Sequence, residues 1–241
     1  MTPAEVVSAL FRAVEYAGLL GFVGVVVMRR LGAQPPFLGW ARPGMETALA
    51  LALLGGVATV ALTPSWFGAL RVAVEVAALV LCLRWGRGAV PAGFVAVVLV
   101  ALAGHHQMNG PSIVVAELHV LSAGMWAGGV VVLATLHPPE GWRSQPGQDL
   151  LTRFGRVAMV AFAFTALTGL IRASEELTGA TDLWTTAYGA VLLLKAAAVL
   201  AMLVLAAITW RRGVPVARTD AVAALVVMVA TGLLATIPVH S

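Results

Sequence analysis

Charge is scarce in this sequence. Asp, Glu, Lys and Arg make up 11% of its 241 residues, against about 25% in an average soluble domain, so water is not the main solvent of its surface. Cysteine is scarcer still. Cys82 stands alone, which excludes an internal disulfide framework and any multi-cysteine metal site. In an apolar run close to Arg84 it reads as a small packed side chain. Also missing are a P-loop, the tight ligand spacing of a zinc motif and a C-x-x-C-H haem-attachment motif. Any transport is therefore expected to be passive or gradient-driven. The opening MTPAEVVSALF lacks a basic n-region and a small-residue cleavage site, so the first helix is expected to be retained. No low-complexity tract and no soluble domain is expected.

What fills the sequence is apolar. It is 60% hydrophobic, with a mean hydropathy of +0.94, and runs long enough to cross a bilayer recur throughout. The expected class is all-α: a polytopic transmembrane helical bundle of about eight helices, one transmembrane domain over residues 1–241. Spans are expected at 5–28, 45–63, 67–84, 89–104, 112–136, 151–172, 187–210 and 219–238. A seven-helix arrangement follows if the short third or fourth span is re-entrant.

A net charge of +4 and a pI near 10.2 do not point to nucleic acid, because the basic residues sit at helix ends and not on one face. Arg29, Arg30 and Arg42 follow the first span, and Arg84 and Arg87 the third. Arg143, Arg153 and Arg156 lead into the sixth, and Arg211, Arg212 and Arg218 into the eighth. The alternate connections are poor in Lys and Arg. The positive-inside rule then puts both termini on the periplasmic or extracellular side.

Ionisable residues inside spans are costly in lipid and count as functional candidates. Here they are Arg12 and Glu15, Arg71 and Glu75, Glu117 and His119, and Lys195. In the assigned orientation all lie below the outer end at a depth of roughly 6–15 Å, at 1.5 Å rise per residue. Arg12–Glu15 and Arg71–Glu75 have the spacing of self-neutralising pairs on one helix face. Glu117 and Lys195 have no such partner, and either pair across helices or serve other groups. Tyr188, seven residues before Lys195, shares its face. A transport path would require these groups to line one connected cavity.

The stretch GHHQMNGPSIVVAELHVLSAGMWAGG, residues 104–129, holds three of the five histidines. Imidazole and thioether suit Cu(I), and imidazole also suits Cu(II). His105, His106 and Met108 fall at the outer end of the fourth span, with Asn109 following, and His240 lies on the same side. His119 sits inside the fifth span with Ser122 and Trp126 along its face. The plain alternatives are a wetted loop for His105 and His106, a helix-to-helix hydrogen bond for His119 and a mobile tail for His240. His137, on the opposite side, reads as an interface residue. Gly124 and Gly128 have GxxxG spacing and read as helix packing.

Three stretches carry a resemblance: LHVLSAGMWAGGVVVLATL from Leu118, LLTRFGRVAMVAFAFTALTGLIRA from Leu150 and LWTTAYGAVLLLKAAAVLAMLVLAAITWRR from Leu183. In this order they resemble the bacterial CopD/PcoD copper-resistance domain family over roughly 110–212, leaving 1–109 as additional helices. That family has a His-containing helix ending in a W-x-G-G turn, a helix with a basic start and a T-G near its end, and a Y-G-x-x-L-x-x-K opening. The matching residues are His119 with Trp126, Gly128 and Gly129; Arg153 with Thr168 and Gly169; and Tyr188 and Gly189 with Lys195. The resemblance implies copper movement across the bacterial cytoplasmic (inner) membrane, sometimes beside a periplasmic copper carrier of the CopC type.

The favoured expectation is a copper transporter or copper-binding membrane protein. The metal candidates are His105, His106, Met108, His119, Glu117 and His240, with Lys195 and the Arg–Glu pairs setting the local field. One alternative is a membrane redox protein holding haem b between His119 and His105 or His106. Another is an accessory factor delivering copper to a membrane oxidase. The polar layer contains no nucleophile–base constellation, so no enzyme is expected.

Overall fold

The computed structural model describes residues 3–86, 88–103, 110–177, 179, 181–212 and positions 222, 224, 226 and 227. Among them the regular structure is entirely helical. The helices are α1 (Pro3–Gly32), α2 (Glu46–Leu62), α3 (Trp66–Trp85), α4 (Ala89–Ala103) and α5 (Gly110–Ala123). A π-helical turn, Gly124–Gly128, joins α5 to α6 (Gly129–Thr135) without a break, and α7 (Gln145–Glu176), α8 (Asp182–Thr185) and α9 (Ala187–Arg212) follow. Seven of the eight expected spans are therefore helices. The eighth, 219–238, lies almost wholly outside the described residues.

Among the described residues five helices are long and apolar enough to cross a membrane: Val6–Gly32, Trp66–Trp85, Ile113–Thr135, Gln145–Glu175 and Ala187–Ile208. Glu46–Leu62 and Ala89–Leu102 are shorter apolar helices. The chain is an all-α, multi-pass helical membrane protein.

Local chemistry sets the helix ends. Ser65 caps α3 by accepting a hydrogen bond from the Gly68 N–H at 3.0 Å, and Ser144 starts α7 with Pro146 in its first turn. Thr186 accepts from the Gly189 N–H at 2.9 Å at the start of α9. Gly86, at φ 61°, stops α3 in a backbone conformation that glycine adopts without steric cost.

The centre of the bundle is α1, which touches α2, α4, α5, the π-helical turn, α6 and α7. Of its most apolar window 61% is buried, against 6% of that of α9, so α9 presents its leucines outward. Glycine permits close approaches of α1 to its neighbours. A Cβ on Gly55 would strike the Glu15 backbone of α1, and one on Gly128 would strike the Leu20 carbonyl. Gly24 of α1 abuts the Gly128 backbone in return. The GxxxG pair is thus a packing surface, as expected.

Two of the Arg-rich connections, the one after α1 and the one into α7, meet. Arg153 donates to the carbonyls of Leu31 and Gln34 at 3.0 Å and of Pro35 at 3.1 Å, satisfying acceptors left open where α1 stops. Trp40 packs edge-on to Trp142 with ring centroids 5.9 Å apart.

Candidate functional site

His119 is held across a helix boundary. Its Nδ1 lies 3.0 Å from Thr168 Oγ1 and 3.1 Å from the Thr165 carbonyl, both on α7. The carbonyl can only accept, and the Thr168 hydroxyl donates to the Phe164 carbonyl at 2.6 Å. Nδ1 therefore carries the proton, and in the neutral ring the lone pair is on Nε2. Gly169 makes room for the ring, since a Cβ there would stand 3.2 Å from His119 Cε1. The helix-to-helix hydrogen bond offered as the plain reading of His119 is real, and it also orients the imidazole.

A small polar network continues behind it. Ser122 Oγ donates to the His119 carbonyl at 3.1 Å, and Thr165 Oγ1 lies 2.8 Å from Ser122 Oγ. Trp126, on the π-helical turn, packs edge-on to Phe162 of α7 with centroids 5.0 Å apart. The W-x-G-G segment does not end the helix, as the resemblance suggested, because the π-helical turn carries the chain on to Thr135.

His119 lines a cavity of about 30 Å³, enclosed by α1, α5, the π-helical turn, α7 and α9 and bordered by Tyr16, Trp126, Thr165 and Lys195. Its volume suits one or two waters or a small ion, and not the macrocycle that a haem would bring. Tyr16 anchors the far wall by donating its hydroxyl to the Val100 carbonyl at 3.3 Å.

The remaining polar residues do not converge there. Arg71 of α3 pairs with Glu15 of α1: Nη2 donates to Oε2 at 3.0 Å, and Nε lies 2.6 Å from Oε1. The two within-helix pairs expected from spacing are replaced by this inter-helix pair, because α2 offers only Gly55 and Gly56 between the two helices. Glu75 is wholly buried beside it. Glu117 lies two residues from His119, on a different face of α5. It does not line the cavity and forms no ion pair with Lys195 among the described residues. Tyr188 is buried but also stands away from the cavity.

The expected single cavity is thus two separate sites. One holds His119 and Lys195, and the other holds Glu15, Arg71 and Glu75. Tyr16 lies between them, next to Glu15 in sequence and in the cavity wall in space. His105, His106, Met108 and His240 lie outside the described residues. Among the described residues no group of three or more His, Cys, Asp or Glu could hold a metal. Cys82 is a free, half-buried thiol and His137 is exposed.

Two residues of the His119 site, Tyr16 and Thr165, are not among the candidates that the sequence offers. The signal for Thr165 was its i,i+3 spacing to Thr168, which puts two hydroxyls on one face in an otherwise apolar helix.

Residues 148–237 match the family model described as Copper resistance protein D. Over 95 residues, 38% of this chain, the sequence is 37% identical to the Copper transport protein CutJ of Bacillus subtilis (strain 168). The aligned stretch spans 17% of that protein's length. No solved structure matches. The family match begins at 148 and continues past 212 to 237. Arg153, Thr168, Gly169, Tyr188, Gly189 and Lys195 therefore fall inside it, while His119 and Trp126 precede it. By these matches the C-terminal part of the chain, from α7 onward, is similar to the copper resistance protein D family.

Proposed function

We propose that this chain binds copper ions in, or moves them across, the bacterial cytoplasmic membrane, with His119 as the station inside the bundle. One observation carries the residue-level reading. The imidazole of His119 is oriented by Thr168 and Thr165 in the way that metal-ligating histidines are held by outer-shell acceptors. The family likeness supports copper as the cargo, and so does the printed name of the Bacillus relative. In this reading His105, His106 and Met108 capture Cu(I) or Cu(II) at the outer face, His240 closes over them, and a periplasmic carrier of the CopC type supplies the ion. Glu117 is left as an acidic group on the approach to His119. Lys195 borders the same cavity, so its ammonium and a copper cation repel one another, and occupancy by the ion requires that charge to be relieved. The role is one of binding and passage, without covalent catalysis.

The separation of the two polar sites favours one second reading. An accessory protein that hands copper to a membrane oxidase needs the His119 site but no continuous path.

Reconstitution into liposomes separates the two. Near-stoichiometric copper after incubation with Cu(I) and desalting, together with copper entry into the lumen, supports the transporter. Copper bound without entry supports the accessory role. Binding that survives His119→Ala would overturn the site, and stoichiometric iron in untreated protein would replace copper with haem.

A further inference from the structure

The carboxylates of Glu15 and Glu75 meet within the α1–α2–α3 contact. Both are withdrawn from solvent, at 1% and 0% exposure. A Cβ added to Gly56 would strike Glu75 Oε2 and lie 3.4 Å from Glu15 Oε1, so both carboxyl groups press on the same bare stretch of α2. No N–H or hydroxyl among the described residues donates to either Glu75 oxygen. Glu15 Oε1, the oxygen that shares the Gly56 contact, likewise accepts no hydrogen bond.

Two ionised carboxylates are both acceptors and repel one another, so a buried pair without donors is relieved by a proton on one of them. Arg71 binds Glu15 through two nitrogens and keeps that group ionised, which leaves the proton on Glu75. With Glu15 and Arg71 cancelling, this protonated trio carries no net charge. Were Glu75 ionised, its charge would be buried with no ion-pair or hydrogen-bond partner of its own among the described residues, which lipid-embedded protein avoids.

The surroundings complete the charge balance. From α1, Arg12 lies one turn before Glu15 and Tyr16 follows it; the Arg12 cation forms no ion pair with Glu75 among the described residues. From α2 there are only Gly55, Gly56 and Thr59, and the Thr59 hydroxyl is spent on the Gly55 carbonyl at 2.8 Å. From α4 there is no ionisable side chain. On the far side of Tyr16, Arg172 of α7 acts on its hydroxyl and Lys195 borders the same cavity. A metal cation is a poor occupant for this trio, since only two carboxylates are present and one already holds a guanidinium.

We propose that Glu15 and Glu75 form a reversible proton-binding site in the membrane layer, and that its proton exchange is coupled through Tyr16 to the occupancy of the His119 cavity. The coupling rests on the copper reading above, whereas the proton site does not. Tyr16 supplies the link because it follows Glu15 on α1 and forms a wall of that cavity. A displacement of α1 by an ion beside His119 reaches the carboxyl pair through one peptide bond.

Infrared difference spectroscopy of the full chain in lipid nanodiscs tests the site. At neutral pH the expected signal is a protonated-carboxyl band that shifts in D2O, disappears in Glu75→Gln, moves in Glu15→Gln and bleaches as bulk pH is raised. A wild-type protein with no such band, or with one indifferent to D2O and bulk pH, overturns the proposal without recourse to any variant. A band bleached by sodium at constant pH also overturns it, by making the pair a metal-cation site. The coupling is read in proteoliposomes, where an imposed pH difference should change copper entry several-fold in the wild type and leave Glu75→Gln insensitive. Copper entry indifferent to that pH difference removes the coupling. No copper entry at all, with the infrared band intact, removes the copper reading and leaves the proton site standing.

Discussion

Arg71 turns away from Glu75, one turn further along its own helix, and pairs with Glu15 of α1. The bond ties α3 to α1 across α2 and keeps a guanidinium and a carboxylate neutral together where neither could be hydrated. Removing one member strands the other. Arg71→Ala should therefore cost about 3–5 kcal/mol, the range for breaking a buried pair. Thermal unfolding in detergent reads it, and the double variant Arg71→Met/Glu15→Gln should recover most of the loss. A single variant as stable as wild type would show that the pair does not hold the bundle.

Close approach of α1 to the π-helical turn depends on a missing side chain. Gly128→Ala places a methyl group against the Leu20 carbonyl, where backbone must move to admit it, and should destabilise by about 1–3 kcal/mol through overpacking. Gly39→Ala is the control, because nothing lies within 4 Å of the added carbon. Equal melting temperatures for the two would contradict the packing described.

Arg153 closes the Arg-rich end by gathering three carbonyls of residues 31–35 within 3.1 Å. Arg153→Ala should cost about 1.5–3 kcal/mol, the range for a hydrogen bond to a charged group. It should also speed proteolysis between residues 33 and 45. Arg153→Lys should restore only part, since an ammonium lacks the guanidinium's planar fork. An unchanged cleavage rate would remove Arg153 as the anchor of that loop.

Thr168→Val keeps the volume at the His119 site and deletes the acceptor on Nδ1. If His119 binds copper, affinity should fall by about 10–100-fold, as is usual when an outer-shell partner is lost, while the melting temperature changes little. Copper titration of the purified variant reads it. Unchanged affinity would detach the metal from His119.

The orientation drawn from the arginines is open to labelling. In a Cys82→Ser background, a cysteine in place of Phe37 should react with an impermeant maleimide only from the cytoplasmic side. One in place of His106 should react only from outside. The reverse pattern would invert the topology.

Much of the fold was legible because lipid imposes a simple code. Apolar length gives a span, Pro and Gly give its ends, and the GxxxG pair at Gly124 and Gly128 gives a contact face. Pairing between helices was not legible. Arg71 and Glu75 have an ideal within-helix spacing, yet the choice of Glu15 depends on α2 thinning to Gly55 and Gly56 between its neighbours, which no local window reveals. Thr165 escaped notice because a threonine in an apolar helix commonly bonds back one turn, and this one does, to the Ala161 carbonyl at 2.8 Å. What it adds is its own carbonyl, turned to His119. The T-G of the family resemblance acquires a physical meaning only in three dimensions: Thr168 accepts from the imidazole, and Gly169 leaves space for it.

The π-helical turn at Gly124–Gly128 works as a phase setter for the whole span. One extra residue in the turn means that α5 and α6 are read out of step, so that His119 in one half and Gly129, which meets Phe154, in the other can both face α7. Deleting a single residue there would restore a uniform α-helix of nearly the same length and apolarity. It would also swing His119 by about 100° relative to α6, the angle per residue of an α-helix, and so away from Thr168. The span would still cross the membrane, with its histidine pointing at the wrong neighbour.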